Sequence, residues 1–290
     1  ITPEAVEKKL RMMITSLKQD FLIAKPRIAV LGLNPHAGDR GTIGSEEMDI
    51  INPVITKLRD EGELIYGSYS ADGFFGSSNV KIFDAGGGQG QMSCYFASLG
   101  HQVVLCDISE KMLTLAAKAI SEQSLSDRVT FLHESIGEVS AQNEQTFDLV
   151  SCHAVLEWVD DPEGVINQCL KSLKPNGFLS LTYYNINGSI YKNLLRTNFK
   201  KLRKDLWQGR RGSLTPTSPL NPTDVNQWVD RLDVKVICES GIRVYYDYIF
   251  DLENRSRDPD AIREMELRYS RQNPFKHLGR YVHLLLQKNG

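Results

Sequence analysis

The sequence has little that commits it to a special environment. No apolar run is long enough to span a bilayer. Its 34 Lys and Arg are nearly balanced by 36 Asp and Glu, so no general field draws it to nucleic acid, and any basic surface must be local. Cysteine is scarce: five residues, at 94, 106, 152, 169 and 238, with no CxxC pair. Four lie in or beside apolar runs. That argues against a disulfide framework or a zinc site, and for buried reduced thiols in a cytoplasmic protein. No internal repeat or low-complexity run is present. The first residue is Ile1 rather than Met, which marks the sequence as a piece, a processed form or an engineered product.

What is there looks ordinary at first. The chain has 290 residues, 41% apolar and 24% charged, enough for one large domain or two small ones. Thr2-Pro3 opens a helix, followed by Val6, Leu10, Met13, Leu17 and Phe21 at helical spacing. "RIAVLGL", 27 to 33, reads as a buried strand, and "NPHAGDRGTIG" as a Gly-rich loop. Ser45 starts a second helix to about residue 61, which Pro53 should kink. The Gly- and Ser-rich stretch 65 to 79 reads as a seam between segments 1–78 and 79–290. Beyond it, strands at 80–85, 102–107, 128–133, 147–152 and 177–184 alternate with helices. That order predicts an α/β fold with a doubly wound, mostly parallel sheet. "VKVICESGIRVYYDY" and "RYVHLLLQK" read as two further strands.

The first strand after the seam runs into Asp84-Ala85-Gly86-Gly87-Gly88-Gln89-Gly90. A dinucleotide loop, G-x-G-x-x-G, fails here: from Gly86 it needs glycine where Gln91 stands. The spacing is D-x-G-x-G-x-G. It suits a ligand with a positive centre and no phosphate, such as S-adenosylmethionine, whose amino group Asp84 can reach. The second strand ends in Asp107, followed by Ile108, where a carboxylate can accept both ribose hydroxyls. Strand, glycine loop, helix, strand and acid together indicate a Rossmann-like class I methyltransferase. Ser135 to Val139 would lie beside the adenine, with Glu138 and Val139 as contacts. His153, at the end of the fourth strand, is a candidate cofactor contact. Trp158 reads as core rather than as a stacking platform.

Residues 79 to 290 resemble the tRNA 5-carboxymethoxyuridine methyltransferase family. The likeness is carried by "FDAGGGQGQ", "GHQVVLCDIS", "HAVLEWV", "LSLTYYN", "TSPLNPTDV", "GIRVYYDY" and "ELRYSRQNPFKHLGRYVH". It implies S-adenosylmethionine as cofactor and the carboxylate of a modified wobble uridine, in the tRNA anticodon, as acceptor. Residues 1 to 77 resemble an internal piece of 4-hydroxythreonine-4-phosphate dehydrogenase, through "RIAVLGLNPHAGDRGTIGSEEMDIINPVI" and "YSADGFFGS". The resemblance makes His36 a vestigial metal ligand whose partner ligands are absent, so no metal is expected. The chain thus reads as a chimera of two families joined at a shared "FDA" strand. The methyltransferase family carries an N-terminal helical segment that covers the cofactor, and residues 1 to 77 hold no counterpart.

Methylating a carboxylate needs no general base, because an acid of pKa near ~4 is already ionised at neutral pH. It needs a clamp. Arg243 and Arg280 suit one, with Tyr184 and Asn185 after the fifth parallel strand. For tRNA, the insert at about 189–221 holds Lys192, Arg196, Lys200, Lys201, Arg203, Lys204, Arg210 and Arg211, opposed between 192 and 211 only by Asp205. Tyr191, Phe199 and Trp207 interleave with them, as base stacking requires. Two rival readings stand: a small-molecule carboxyl or O-methyltransferase, and a folded chimera without turnover.

Overall fold

The structure is a computed structural model and describes residues 1–21, 23–33, 44–69, 80–205, 207, 216 and 218–290, the side chain of Leu252 excepted. His36, Arg210, Arg211 and the seam loop from residue 70 lie outside the described residues. Two compact units emerge, Ile1–Asn79 and Val80–Gly290. Among the described residues no helix is long and apolar enough to cross a membrane.

In the first unit, α1 (Pro3–Gln19) begins at an N-cap, where Thr2 accepts the Ala5 N–H. Strands β1 (Arg27–Leu31) and β2 (Leu64–Tyr69) pair in parallel. Pro53 lies inside a continuous helical run: a π-helical turn, Glu47–Ile51, leads without a break into α2 (Asn52–Asp60), and the departure from α geometry falls immediately before the proline, which has no N–H to donate. Leu10, Ile14, Ile28, Val54, Ile55, Leu58 and Ile65 form the core.

The second unit is built on β3 (Lys81–Ala85), β4 (Gln102–Cys106), β5 (Val129–Leu132), β6 (Phe147–His153), β7 (Leu173–Tyr184), β8 (Val234–Ile242) and β9 (Tyr281–Lys288). The sheet order is β5-β4-β3-β6-β7-β9-β8. The first five are parallel, and β9 runs antiparallel to both β7 and β8. The order reverses between β3 and β6, the switch point where open α/β sheets bind ligands. Helices α3 (Gln91–Ser98) and α4 (Glu110–Glu122) share one core with β3, β4 and β5 through Ile82, Val103, Leu105, Ala116 and Ile120. A second core joins α5 (Ile136–Gln142), α6 (Pro162–Ser172) and α9 (Pro222–Asp230) to β6, β7 and β9. Its Phe83, Phe147, Leu179 and Leu181 are fully buried, each worth about 1.5–3 kcal/mol of removal from water.

Two strand boundaries differ from the sequence reading. β7 begins at Leu173 because the "KPNG" segment, with Asn176 at φ 63°, is a bulge within the strand rather than a loop before it. "VKVICESGIRVYYDY" is not one strand. It stops at Ile242, Arg243 takes φ 58°, and Tyr246–Tyr248 forms a 3-10 turn. Between β7 and β8 lie α7 (Ile186–Leu195) and α8 (Phe199–Arg203), and between β8 and β9 lie α10 (Leu252–Arg257) and α11 (Pro259–Tyr269).

Candidate functional site

The glycine loop closes over the carboxyl end of β3. Gly86, Gly88 and Gly90 have φ of 70°, 54° and 73°, a left-handed path that side chains disfavour. Space adds a second constraint. A Cβ on Gly86 would sit 2.7 Å from Val155, and one on Gly87 2.8 Å from both Asp84 and Leu105. A Cβ on Gly88 would meet nothing within 4 Å, so that is the side open to a ligand. Asp107 faces this opening. Its two oxygens accept the Gly88 N–H at 3.0 Å and the Ser109 N–H at 2.8 Å. Each oxygen keeps a lone pair for a ribose hydroxyl. Ile108 beside it is 78% exposed, a free apolar surface for a flat base. The cradle therefore fits a nucleoside, with its ribose at Asp107 and its base against Ile108.

Three other expected contacts, Asp84, Glu138 and Val139, are placed differently. Asp84 is 2% exposed and accepts the Ser93 hydroxyl at 2.6 Å, tying the loop to α3 instead of presenting itself to a ligand. Burial raises its pKa to about 6, against hydrogen bonds from Ser93 that lower it. Glu138 is spent on a capping box at the start of α5, accepting the Ser135 N–H and hydroxyl at 2.8 and 2.7 Å, which lowers its pKa. That box phases α5 so that Val139 points inward, fully buried in the core and closed to the adenine. His153 shares a 2.8 Å hydrogen bond with Ser180, which also bonds His283 at 3.0 Å. The two rings line a cavity of about 390 Å³ with Ala154, Thr182, Ile242 and Tyr281. Burial, and then His283, lower the His153 pKa to about 4, so the ring is neutral at physiological pH. Trp158, expected in the core, is 49% exposed.

Arg243 and Arg280, expected as a clamp, lie close together. Arg243 and Arg280 both reach Asp247: Arg243 in close contact with one oxygen, Arg280 at 3.5 Å from the other. The Arg280 N–H also bonds the Arg243 carbonyl, at 3.3 Å. Arg280 lies over the rings of Tyr184 and Tyr281, each at 5.7 Å, a cation–π arrangement. Asn185, fully buried, donates to the carbonyls of His277 and Gly279 and so fixes the backbone that carries Arg280. Of the residues expected at tRNA, Lys192 departs from the group. It turns inward, 3.8 Å from Asp247, while Arg196, Lys200, Arg203 and Lys204 are exposed and Lys201 is half-buried.

Sequence reasoning missed two acids. Asp247 joins the three cations. Glu266, on α11, accepts the N–H groups of Val244, Tyr245 and Tyr246 at 2.7, 3.1 and 2.7 Å. Three successive N–H groups form an anion nest, and Glu266 fills it, which ends β8 and holds Arg243 in its left-handed turn.

Comparison with known proteins meets this geometry from outside. Residues 83–181 match the methyltransferase domain family, and residues 1–86 match the pyridoxal phosphate biosynthetic protein PdxA. The overlap falls on Phe83-Asp84-Ala85-Gly86. The tRNA 5-carboxymethoxyuridine methyltransferase of Escherichia coli O157:H7 is 36% identical over 213 residues, 73% of this chain and 82% of that protein. The chain belongs to this methyltransferase family. It is an S-adenosylmethionine-dependent methyltransferase. The enzyme of E. coli K12 is 35% identical over the same extent. The 4-hydroxythreonine-4-phosphate dehydrogenase of Bacteroides thetaiotaomicron is 52% identical over 84 residues, but these make up only 23% of that dehydrogenase. The methyltransferase thus carries a dehydrogenase-like piece on its N-terminal side.

Proposed function

We propose that the methyltransferase esterifies the carboxylate of 5-carboxymethoxyuridine at the wobble position of tRNA. The observation that carries the reading is the meeting of Arg243 and Arg280 beside Tyr184, at the carboxyl end of β7. Arginine forks fit a carboxylate in two-point contact. That the E. coli relatives are tRNA 5-carboxymethoxyuridine methyltransferases supports the same reading.

The cofactor would lie along Gly86–Gly90 with its ribose on Asp107. S-adenosylmethionine supplies a methyl group on a sulfonium, a carbon already bearing its leaving group. The protein's part is alignment. Arg243 and Arg280 would hold the carboxylate so that one oxygen stays free to accept the methyl group. No proton moves, so the neutral His153 needs no acid–base role. Most of the acceleration then comes from orientation and exclusion of water. Replacing Asp107 by Ala is expected to weaken S-adenosylmethionine binding by about 1–3 kcal/mol, the worth of charge-assisted hydrogen bonds. Calorimetry on the folded variant checks this, and unchanged affinity would remove Asp107 from the site.

The tRNA would follow the exposed basic side chains of α7 and α8. The deciding experiment offers labelled cofactor to tRNA with and without the carboxymethoxy arm, and to small carboxylic acids. Transfer only to the armed tRNA is expected; transfer to free acids alone would overturn the reading. Reversing charge at Lys200, Lys201, Arg203 and Lys204 should flatten the salt dependence of tRNA binding, by roughly 0.7–0.9 in log–log slope per lost phosphate contact. A slope equal to that of the wild type would take α8 out of the interface.

A further inference from the structure

The cluster around Asp247 has unequal charge. Lys192, Arg243 and Arg280 bring three positive groups to one carboxylate, whose side chain is 4% exposed. The nearby acids correct this only in part: Glu266, held by three backbone N–H groups, keeps its negative charge next to Arg243, and Glu239 pairs with Lys276. The three cations retain only 26–39% of their exposure. Half-withdrawn from water, an excess of positive charge is costly until anions arrive. Two donors also lack acceptors among the described residues: the buried Nε of Arg243 and the buried Nε of Arg280.

We propose that the cluster is a two-anion site, in which Lys192 takes a phosphate of the same nucleotide whose carboxylate the two arginines hold. The carboxylate half rests on the function proposed above; the phosphate half does not. The division follows side-chain chemistry. A planar guanidinium matches a carboxylate edge, whereas an ammonium is a compact, rotatable charge suited to a phosphate oxygen. Position agrees. Lys192 lies on α7, one helical turn before exposed Arg196, so it begins the row of cations that leads outward to α8. Arg196 itself rests on Phe250, 5.0 Å from the ring centroid, and Tyr191 stands edge-on to Tyr248 at 5.1 Å. The mouth of the cluster is thus aromatic and cationic, the surface that a nucleotide needs. Burial lowers the Lys192 pKa more than Asp247 raises it, in keeping with a group that lacks part of its counter-charge. Such a site discriminates between a nucleoside and a nucleotide bearing the same carboxylate.

The test uses the full chain saturated with S-adenosylhomocysteine and three probes: 5-carboxymethoxyuridine, its 3′,5′-bisphosphate, and uridine 3′,5′-bisphosphate. In the wild type the bisphosphate of 5-carboxymethoxyuridine should bind at least about tenfold tighter than the nucleoside, as one charge-assisted contact allows. Lys192→Met should bring that ratio toward one, and Lys192→Arg should keep most of it. Lys192→Gln serves if the Met variant does not fold. A ratio unaffected by Lys192→Met overturns the proposal, as does failure of every probe to bind. If uridine bisphosphate responds to Lys192 while the arm adds nothing, the phosphate subsite stands and the carboxylate reading falls. If the arm matters and Lys192 does not, the reverse holds.

Discussion

Asp247→Ala is expected to destabilise the Val80–Gly290 unit by about 2–4 kcal/mol. Removing one partner of a buried ion pair costs about 3–5 kcal/mol, because the other charge is left uncompensated. The lower figure applies here because the three cations keep partial contact with water. Asp247→Asn separates the charge effect from the lost volume and should account for most of the loss. Added phosphate or sulfate should restore part of it, since an external anion can replace the missing carboxylate. Chemical unfolding followed by tryptophan fluorescence provides the measurement. Trp158, Trp207 and Trp228 all belong to the second unit, so the signal does not mix the two units. An Asn variant as stable as the wild type at low salt would show that Asp247 does not hold the cations together.

Asp84 should produce the other large effect, with a defined pH window. Its carboxyl is raised from 3.8 to about 6 in the folded protein, first by burial. The folded state therefore keeps this proton where the unfolded chain has released it. Stability is favoured below the unfolded pKa and lost as pH rises from about 4 through about 6. Two pH units correspond to about 3 kcal/mol. Asp84→Asn removes the ionisation, so the variant should gain on the wild type by about 2–3 kcal/mol across that window. Using the difference matters because His153 pulls the other way. Its pKa is depressed from 6.5 to about 4, so the wild type gains stability from it as pH rises through that range. A variant-minus-wild-type difference that is flat with pH would mean that Asp84 is not an ionising group in the interior.

The sequence shows the strand alternation, the glycine turn and Asp107 because these are local. A turn needs its glycines in order, and a strand-end acid has a fixed distance from them. Val139 was misplaced although the signal to place it was present. Ser135 and Glu138 form a capping-box pattern, and the helix phase that it sets puts Ile136 and Val139 on one inward face. Asp247 was not legible, since its three partners come from α7, from the turn after β8 and from the residue just before β9. Glu266 was hidden for a related reason. "GIRVYYDY" has the composition of a strand, and only a carboxylate 20 to 22 residues further on makes it a turn. Asp84 illustrates the opposite hazard: its position in the motif suggested a ligand contact, while its surroundings turned it inward.

The placement of β9 between β7 and β8 has a kinetic consequence. β8 is synthesised first, yet its ladder partner is β9, about forty residues later in the chain. Until β9 emerges, the edge of β7 that it will cover, from Phe178 to Tyr184, has open hydrogen-bonding groups. Unpaired strand edges invite pairing with another chain. The expected vulnerable species is a nascent chain that has completed β8 and not β9. Slow translation through residues 243–280 should lengthen its life and raise aggregation, and a chaperone that shields strand edges should relieve it.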